Sequence, residues 1–190
     1  MLSWSGKMRR TARALARSES GAAAVELALI AVPFFLLLFG IIELALVFLL
    51  STSLENATDM AARQVRTGAM QTAGGASAAT FKTLVCKNLG WLQNECASNL
   101  YVDVRTFASF KTVTAPQPVV SKTVGAKTTT SFDPTKLTFD MGKAGDIVVV
   151  RTYYSWPLIT PMVQQAIQTL SDGHMVISST AAFRNEPYGS

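Results

Sequence analysis

The stretch from Ser20 to Leu50, SGAAAVELALIAVPFFLLLFGIIELALVFLL, decides the architecture of this 190-residue chain. From Leu27 to Leu50 it contains 24 residues and a single formal charge, on Glu43. At about 1.5 Å of rise per residue, a helix of this length reaches ~36 Å, enough to cross a ~30 Å hydrocarbon core with some tilt. No second apolar run of that length follows between residues 51 and 190. The sequence therefore predicts one membrane-spanning helix.

The positive charge is concentrated before this stretch. The chain has 17 Lys and Arg residues against 12 Asp and Glu residues, a formal charge of +5 at pH 7. Residues 1–21 contain five of the basic residues and one acidic residue, so this leader carries +4 and the rest of the chain +1. A nucleic-acid-binding domain would carry its basic patch on the folded part, which argues against that class. Basic residues beside an apolar helix stay in the cytoplasm, so we expect a cytoplasmic N-terminus and an external C-terminal domain.

An ordinary secretory signal peptide is an alternative for residues 1–50. Such a signal has an apolar region of about 7 to 15 residues, followed by a cleavage site made of small residues. Here the apolar run is longer, and the small residues from Gly21 to Ala24 precede it. The order of these features disfavours a conventional signal peptide.

The order of basic leader, glycine, small residues, glutamate and long apolar helix resembles a type IV prepilin signal. The wider sequence GAAAVELALIAVPFFLLLFGIIELALVFLLSTSLENATDMAARQVRTG (21–68) resembles the TadE-like pseudopilins of the tight-adherence (Flp) pilus system, and TAAFRNEPY (180–188) is similar to the same family. Leu27 follows Glu26 where the major pilins of this system carry an aromatic residue. The resemblance therefore indicates a minor pseudopilin and not the main filament subunit.

The resemblance implies roles for three residues. A prepilin peptidase would cut between Gly21 and Ala22, which makes Ala22 the first residue of the mature chain and Glu26 the fifth. Glu26 would then be an assembly contact, paired with the new α-amino group of Ala22 on the same chain or on a neighbouring subunit. A carboxylate in an apolar helix is costly without a partner, which supports this role independently. The alternative is that Glu26 only reaches the cytoplasmic lipid headgroups.

Glu43 is a second carboxylate in the apolar run. It lies 17 residues after Glu26, or ~25 Å along a helix, which places it near the outer face of the membrane. Its side chain is either solvated there or contacts another helix in a bundle. The sequence leaves both roles open.

The helical pattern continues past the membrane segment. Leu54, Ala57, Ala61 and Val65 keep spacings of three and four residues, and Gly68 is the expected C-cap. The predicted organisation is a basic cytoplasmic leader (1–21), a long helix (22–68) with its transmembrane part at about 27–50, a linker (69–79) and a periplasmic head (80–190).

The two cysteines of the chain are Cys86 and Cys96. They have no nearby histidine for a zinc site and lack the Cys-x-x-Cys spacing of redox motifs. A cysteine pair in an oxidising periplasm is expected to close. We predict a structural disulfide, and two free buried thiols are the alternative.

The head is predicted to be α+β. Alternating or β-branched residues indicate strands at Tyr101–Phe110, Ile147–Trp156 and Met175–Phe183. Short helices are expected around Phe81–Leu89 and after Thr160, where Pro161 takes the first helical position. The predicted fold class is a pilin-like α+β arrangement, with a long N-terminal transmembrane and amphipathic helix followed by a small antiparallel sheet with two short helices.

Two further segments have weaker patterns. Residues 111–131 are rich in Thr, Ser and Lys, which indicates an exposed loop. The polar tail from Arg184 to Tyr188 follows the last predicted strand. It is either a solvated terminus or a docking contact.

No catalytic, metal or cofactor motif accompanies these elements. The single histidine, His174, adjoins a turn, and the sequence has no phosphate loop or nucleophile motif. We expect a protein that is not an enzyme and that has no cofactor. The resemblance implies a bacterial inner-membrane protein whose partners are prepilin peptidase, other pilins or pseudopilins, the inner-membrane assembly machinery and membrane lipid. An uncleaved single-pass membrane protein with a periplasmic binding or scaffold domain is the second functional class.

Overall fold

The computed structural model describes residues 19–74, 76–114 and 116–188, so most of the expected leader lies outside the described residues. Helix α1 spans Glu19–Arg66 and contains Pro33. Gly68 has a left-handed φ of 74°, and its N–H donates to the carbonyl of Val65 at 3.1 Å. This conformation ends the helix as the sequence predicts, because glycine adopts it without steric cost. Two compact units meet in the chain at Ile42 and Glu43.

The other elements all belong to the second unit. The helices are α2 Ala69–Thr72, α3 Ala78–Asn88, α4 Gln93–Asn99 and α5 Pro161–Ile167. The strands are β1 Leu100–Phe107, β2 Val119–Val124, β3 Lys127–Phe132, β4 Ile147–Pro157 and β5 His174–Arg184. Short 3₁₀ turns occupy Gly90–Leu92, Phe110–Thr112 and Pro134–Lys136.

A three-stranded antiparallel sheet in the order β1–β4–β5 forms the centre of the head. Val104 pairs with Val150 between β1 and β4, and Thr152 pairs with Ser179 between β4 and β5. Strands β2 and β3 form a separate antiparallel hairpin. The long helix, the small antiparallel sheets and the short helices confirm the predicted α+β class.

The C-terminal half of α1 supplies one layer of the core. Its predicted apolar stripe is buried, together with the apolar side chains of one sheet face; the members include Leu50, Leu54, Ala57, Ala61 and Val65 of the helix and Val102, Val104, Val148, Val150 and Tyr154 of the sheet. Thr58 of the helix and Thr152 of β4 are both fully buried, and their hydroxyl oxygens are 2.6 Å apart. This hydrogen bond joins the helix to the central strand inside the core.

The predicted loop at 111–131 is wrong, because residues 119–132 fold as the β2–β3 hairpin. Threonine is β-branched and favours strands, and the hydroxyls of Thr123 and Thr128 lie 3.0 Å apart across the hairpin. Gly125 supplies the positive φ of the turn, at 64°. The hairpin has mostly exposed side chains, so its composition resembles that of a loop.

Candidate membrane and assembly segment

The apolar part of α1 in the first unit exposes its side chains on all sides. From Ala22 to Phe39 every residue is exposed except the half-buried Ala31. Exposed apolar area costs ~25 cal/mol per Å² in water, and a helix that is apolar all round is typical of a membrane span. In the described part of the chain, α1 is the helix that is long and apolar enough to cross a membrane.

Gly21 and Ala22 are both helical residues of α1, and the described part of this helix already includes Glu19, upstream of the predicted start at Ala22. A glycine lowers helix stability by roughly 1 kcal/mol relative to alanine. Gly21 therefore weakens the helix locally beside the predicted cleavage site.

Glu26 is exposed and lies one helical turn after Ala22. At this i,i+4 spacing the Cβ atoms of two helical residues are ~5–6 Å apart on the same side. Among the described residues the carboxylate of Glu26 takes part in no ion pair. The described chain leaves this charge for another group to satisfy, and its role in assembly stays a prediction.

Glu43, at the start of the second unit, has a set of partners that the sequence did not indicate. Its side chain is buried, with 6% of the residue exposed. The carboxylate accepts hydrogen bonds from the backbone N–H groups of Ile159 and Thr160, the latter at 2.9 Å. The solvated alternative is therefore wrong for this structure, and the helix-bundle contact stays a prediction.

The same contact lies at the start of α5, where Thr160 is the N-cap residue. Pro161 opens this helix as predicted, but the side chain of Thr160 makes no capping hydrogen bond. The carboxylate of Glu43 satisfies the N–H of Thr160 instead. A charge-assisted hydrogen bond of this kind is about twice as strong as a neutral one, so the contact fixes the loop after β4 to the helix α1.

The predicted disulfide is confirmed. Cys86 of α3 and Cys96 of α4 are bonded, with their Cα atoms 5.5 Å apart. Both residues are buried in the core. A crosslink that closes so short a loop contributes somewhat less than ~3 kcal/mol in the chain-entropy description, and this one joins the short helices α3 and α4.

A buried ionic cluster on the sheet was not predicted as such. Asp103 of β1 is fully buried and contacts Arg105 at 3.0 Å and Arg151 of β4 at 2.5 Å. It also accepts from the N–H of Thr138 at 2.8 Å. Burial alone would raise the pKa of Asp103, but the hydrogen bonds from Arg105, Arg151 and Thr138 outweigh it and lower the pKa below its usual value. The cluster therefore joins β1, β4 and the segment that follows the hairpin through an ionised carboxylate.

The C-terminal tail docks on its own head. Asn185 is buried, and its amide group donates to the carbonyls of Met141 and Lys143 at 2.9 and 3.0 Å. The N–H of Glu186 donates to the carbonyl of Arg66 at 2.8 Å, and the two side chains form an ion pair at 2.8 Å. Of the two alternatives for the tail, the structure shows the docked one, with the chain itself as the partner.

Tyr188 completes this contact against Gly68. A Cβ atom added to Gly68 would lie 2.2 Å from the ring of Tyr188. Glycine is thus required twice at this position, for its positive φ and for the close approach of the ring. The tail and the end of α1 form one packed corner.

A family model described as TadE-like protein matches residues 21–63. The match begins at Gly21 and ends just before the end of α1, so it covers the apolar segment and most of the part that packs on the sheet. It confirms the predicted resemblance over this helix. No curated protein and no solved structure matches the chain.

The match and the exposed apolar helix together fit a single-pass membrane protein of a tight-adherence pilus system. The TadE-like family is a structural pilus component and is not known as a family of enzymes. The head beyond residue 63 lies outside the match.

Proposed function

We propose that this chain is a minor pseudopilin, processed by a prepilin peptidase between Gly21 and Ala22, that acts in assembly of a tight-adherence pilus. The observation that carries the proposal is the carboxylate of Glu26. It is exposed on the apolar part of α1, has no ion-pair partner among the described residues, and lies one turn after the expected cut. This arrangement occurs in the segment that matches the TadE-like family.

Cleavage would create the partner that Glu26 lacks. A new α-amino group at Ala22 is positively charged below its pKa of about 8. Two unit charges 4 Å apart attract by ~1 kcal/mol in water and by ~4 kcal/mol at an effective dielectric constant of 20. Pairing on the same chain or on a neighbouring subunit would lower the cost of holding the carboxylate in hydrocarbon. Assembly would then favour processed chains, because an uncleaved chain has no amine at this position.

The head would act on the periplasmic side as the partner-binding part. Two observations support this side. The basic leader precedes the span, which favours a cytoplasmic N-terminus. The head contains a disulfide, which persists in oxidising compartments. Its partners would be other pilins or pseudopilins and the inner-membrane assembly machinery.

The test is N-terminal sequencing and intact-mass measurement of the protein extracted from membranes of cells that assemble the pilus. The expected chain begins at Ala22. Replacement Gly21→Leu should leave the leader attached, whereas the same replacement at the other glycine of the leader, Gly6→Leu, should leave processing unchanged. An assembled, functional protein that still begins with Met1 would overturn the proposal in favour of an uncleaved membrane protein with a periplasmic scaffold domain.

A further inference from the structure

The head exposes apolar side chains beside Glu43, the first residue of the second unit. The carboxylate of Glu43 binds the backbone of Ile159 and Thr160. The loop after β4 is therefore held at the level of Glu43 along α1. Ile159 itself is 84% exposed, and Met162 in the first turn of α5 is 59% exposed. Isolated exposed apolar side chains are common, so their exposure alone does not indicate a contact surface. A contact surface is indicated by where these two side chains lie relative to α1.

After Glu43, the exposed side of helix α1 stays apolar as far as Leu49. Leu44, Leu46, Phe48 and Leu49 are all exposed, and Phe48 reaches 71%. Leu49 lies six residues after Glu43, which is ~9 Å further along the helix. If lipid covers Phe48 and Leu49, it also covers the level at which the loop with Ile159 lies.

The composition of the loop and its surroundings fits a lipid boundary. No residue from Leu158 to Ser171 is charged, although 15% of the chain is. Trp156, near the end of β4, contacts the half-exposed Trp91 with ring centroids 6.2 Å apart. Tryptophan is enriched where membrane and water meet, because its ring is apolar and its N–H is polar.

We propose that this end of the head inserts into the periplasmic leaflet, at the boundary between headgroups and acyl chains. The inserted surface, here called the membrane-facing patch, consists of Phe48, Leu49, Trp91, Ile159 and Met162. The proposal rests on the membrane crossing that the proposed function requires, and it adds a second attachment of the head to lipid. The insertion depth of ~9 Å agrees with the depth of 5–10 Å to which interfacial elements bury their apolar face.

The hydrogen bonds of Glu43 lower the cost of placing its carboxylate at this depth in the membrane. An ionised carboxylate without partners is costly in a medium of low dielectric constant. Glu43 is 6% exposed and accepts two backbone hydrogen bonds, so it needs no water from the boundary region. The same bonds satisfy two amides that would otherwise have to be hydrated beside the lipid.

Single-cysteine labelling tests the insertion. Both native cysteines are in the disulfide, so a new cysteine is the only free thiol for a fluorescent NBD probe. Ile159→Cys and Met162→Cys report on the patch, and two separate replacements guard against a variant that fails to fold. Ala144→Cys is the control, because residue 144 is exposed just before β4. Strand β4 has 11 residues, so its two ends lie ~33 Å apart. Residue 144 precedes one end, and residues 159 and 162 follow the other. Leu36→Cys reports on the membrane span.

The labelled full-length proteins are reconstituted in vesicles of phosphatidylethanolamine and phosphatidylglycerol, with or without nitroxide-labelled phospholipid. The probes at 159 and 162 should emit at shorter wavelength than the probe at 144 and lose fluorescence to the lipid-borne nitroxide, as the probe at 36 does. If the probes at 159 and 162 behave like the probe at 144 while the probe at 36 is quenched, the crossing stands and the insertion is overturned. If the lipid nitroxide and aqueous iodide both fail to quench them, a protein contact covers the patch, which also overturns it. A probe at 36 that is open to water would overturn the membrane crossing itself, and with it the proposed function.

Discussion

The proposed assembly mechanism depends on Glu26. The exposed carboxylate has no ion-pair partner in the described chain, and the peptide bond between Gly21 and Ala22 lies one turn away. Glu26→Ala should therefore be processed normally and should reduce pilus assembly to background, because the pairing with the α-amino group is lost. The measurement combines intact mass of the membrane-extracted protein with quantification of surface pili.

Glu55→Ala is the matched control, since Glu55 is also an exposed carboxylate on α1 but follows the apolar run. Its assembly should stay close to that of the native protein. Normal pilus formation by Glu26→Ala would remove the pairing from the mechanism and leave Glu26 as a residue that reaches the lipid headgroups.

Asp103 should govern part of the acid stability of the head. Its pKa in the folded protein lies below the unfolded value of about 3.9. The unfolded state therefore takes up the proton first as the pH falls, and the stabilisation is complete above about pH 4 and is lost as the pH falls through the folded pKa. Asp103→Asn leaves Arg151 buried without its carboxylate, which should cost about 3 kcal/mol at pH 7. Urea unfolding of the protein in detergent, followed by circular dichroism between pH 2 and 7, measures both effects.

The control for this prediction is Asp133→Asn. Asp133 also has a lowered pKa, through hydrogen bonds with Thr135, but it is only partly buried and has no ion pair among the described residues. Its replacement should change the unfolding midpoint at pH 7 little. Equal midpoints for the two variants at pH 7 would show that the buried cluster does not contribute to stability.

Asp103 and Glu43 also show where sequence reasoning stops at the scale of the residue. Alternation correctly places Asp103 on the opposite side of β1 from Val102 and Val104, but it cannot show that the hairpin and the following segment cover that side. A hint was present in Arg151, a charge in the middle of the apolar run of β4. For Glu43 the partners are backbone amides 116 and 117 residues away. Nearly every residue has a backbone amide, so the sequence does not indicate which ones will bind Glu43.

At the scale of the element, a helix or strand can be predicted when its own sequence contains a clear apolar pattern. Helix α1 and strand β4 are predicted correctly because a periodic or β-branched apolar run indicates which residues are buried. The hairpin β2–β3 and the helix α4 were missed because neither carries a strong apolar periodicity. The tail could be recognised as polar, but its docking depends on Gly68 and Arg66, more than 100 residues earlier.

At the scale of the whole molecule, α1 contributes both the exposed apolar segment of the first unit and a packed part of the second unit. Its buried residues Leu50, Leu54 and Val65 are fully covered by the head. At about 1.5–3 kcal/mol for each fully buried large aliphatic side chain, these three contribute ~5–9 kcal/mol. A whole domain is stable by only ~5–15 kcal/mol. The head should therefore not fold without this part of the helix.

Two fragments of the second unit test this dependence. The fragment 43–190 keeps the packed half of α1, and it should unfold in one cooperative transition when heated. The fragment 69–190 keeps the complete sheet and the disulfide but exposes the apolar face that Leu54 and Val65 cover. It should show no cooperative transition by near-ultraviolet circular dichroism, because its remaining core cannot offset the conformational entropy of the chain. A cooperative transition of equal midpoint in both fragments would mean that the sheet and disulfide suffice, and α1 would then serve only as an anchor and assembly element.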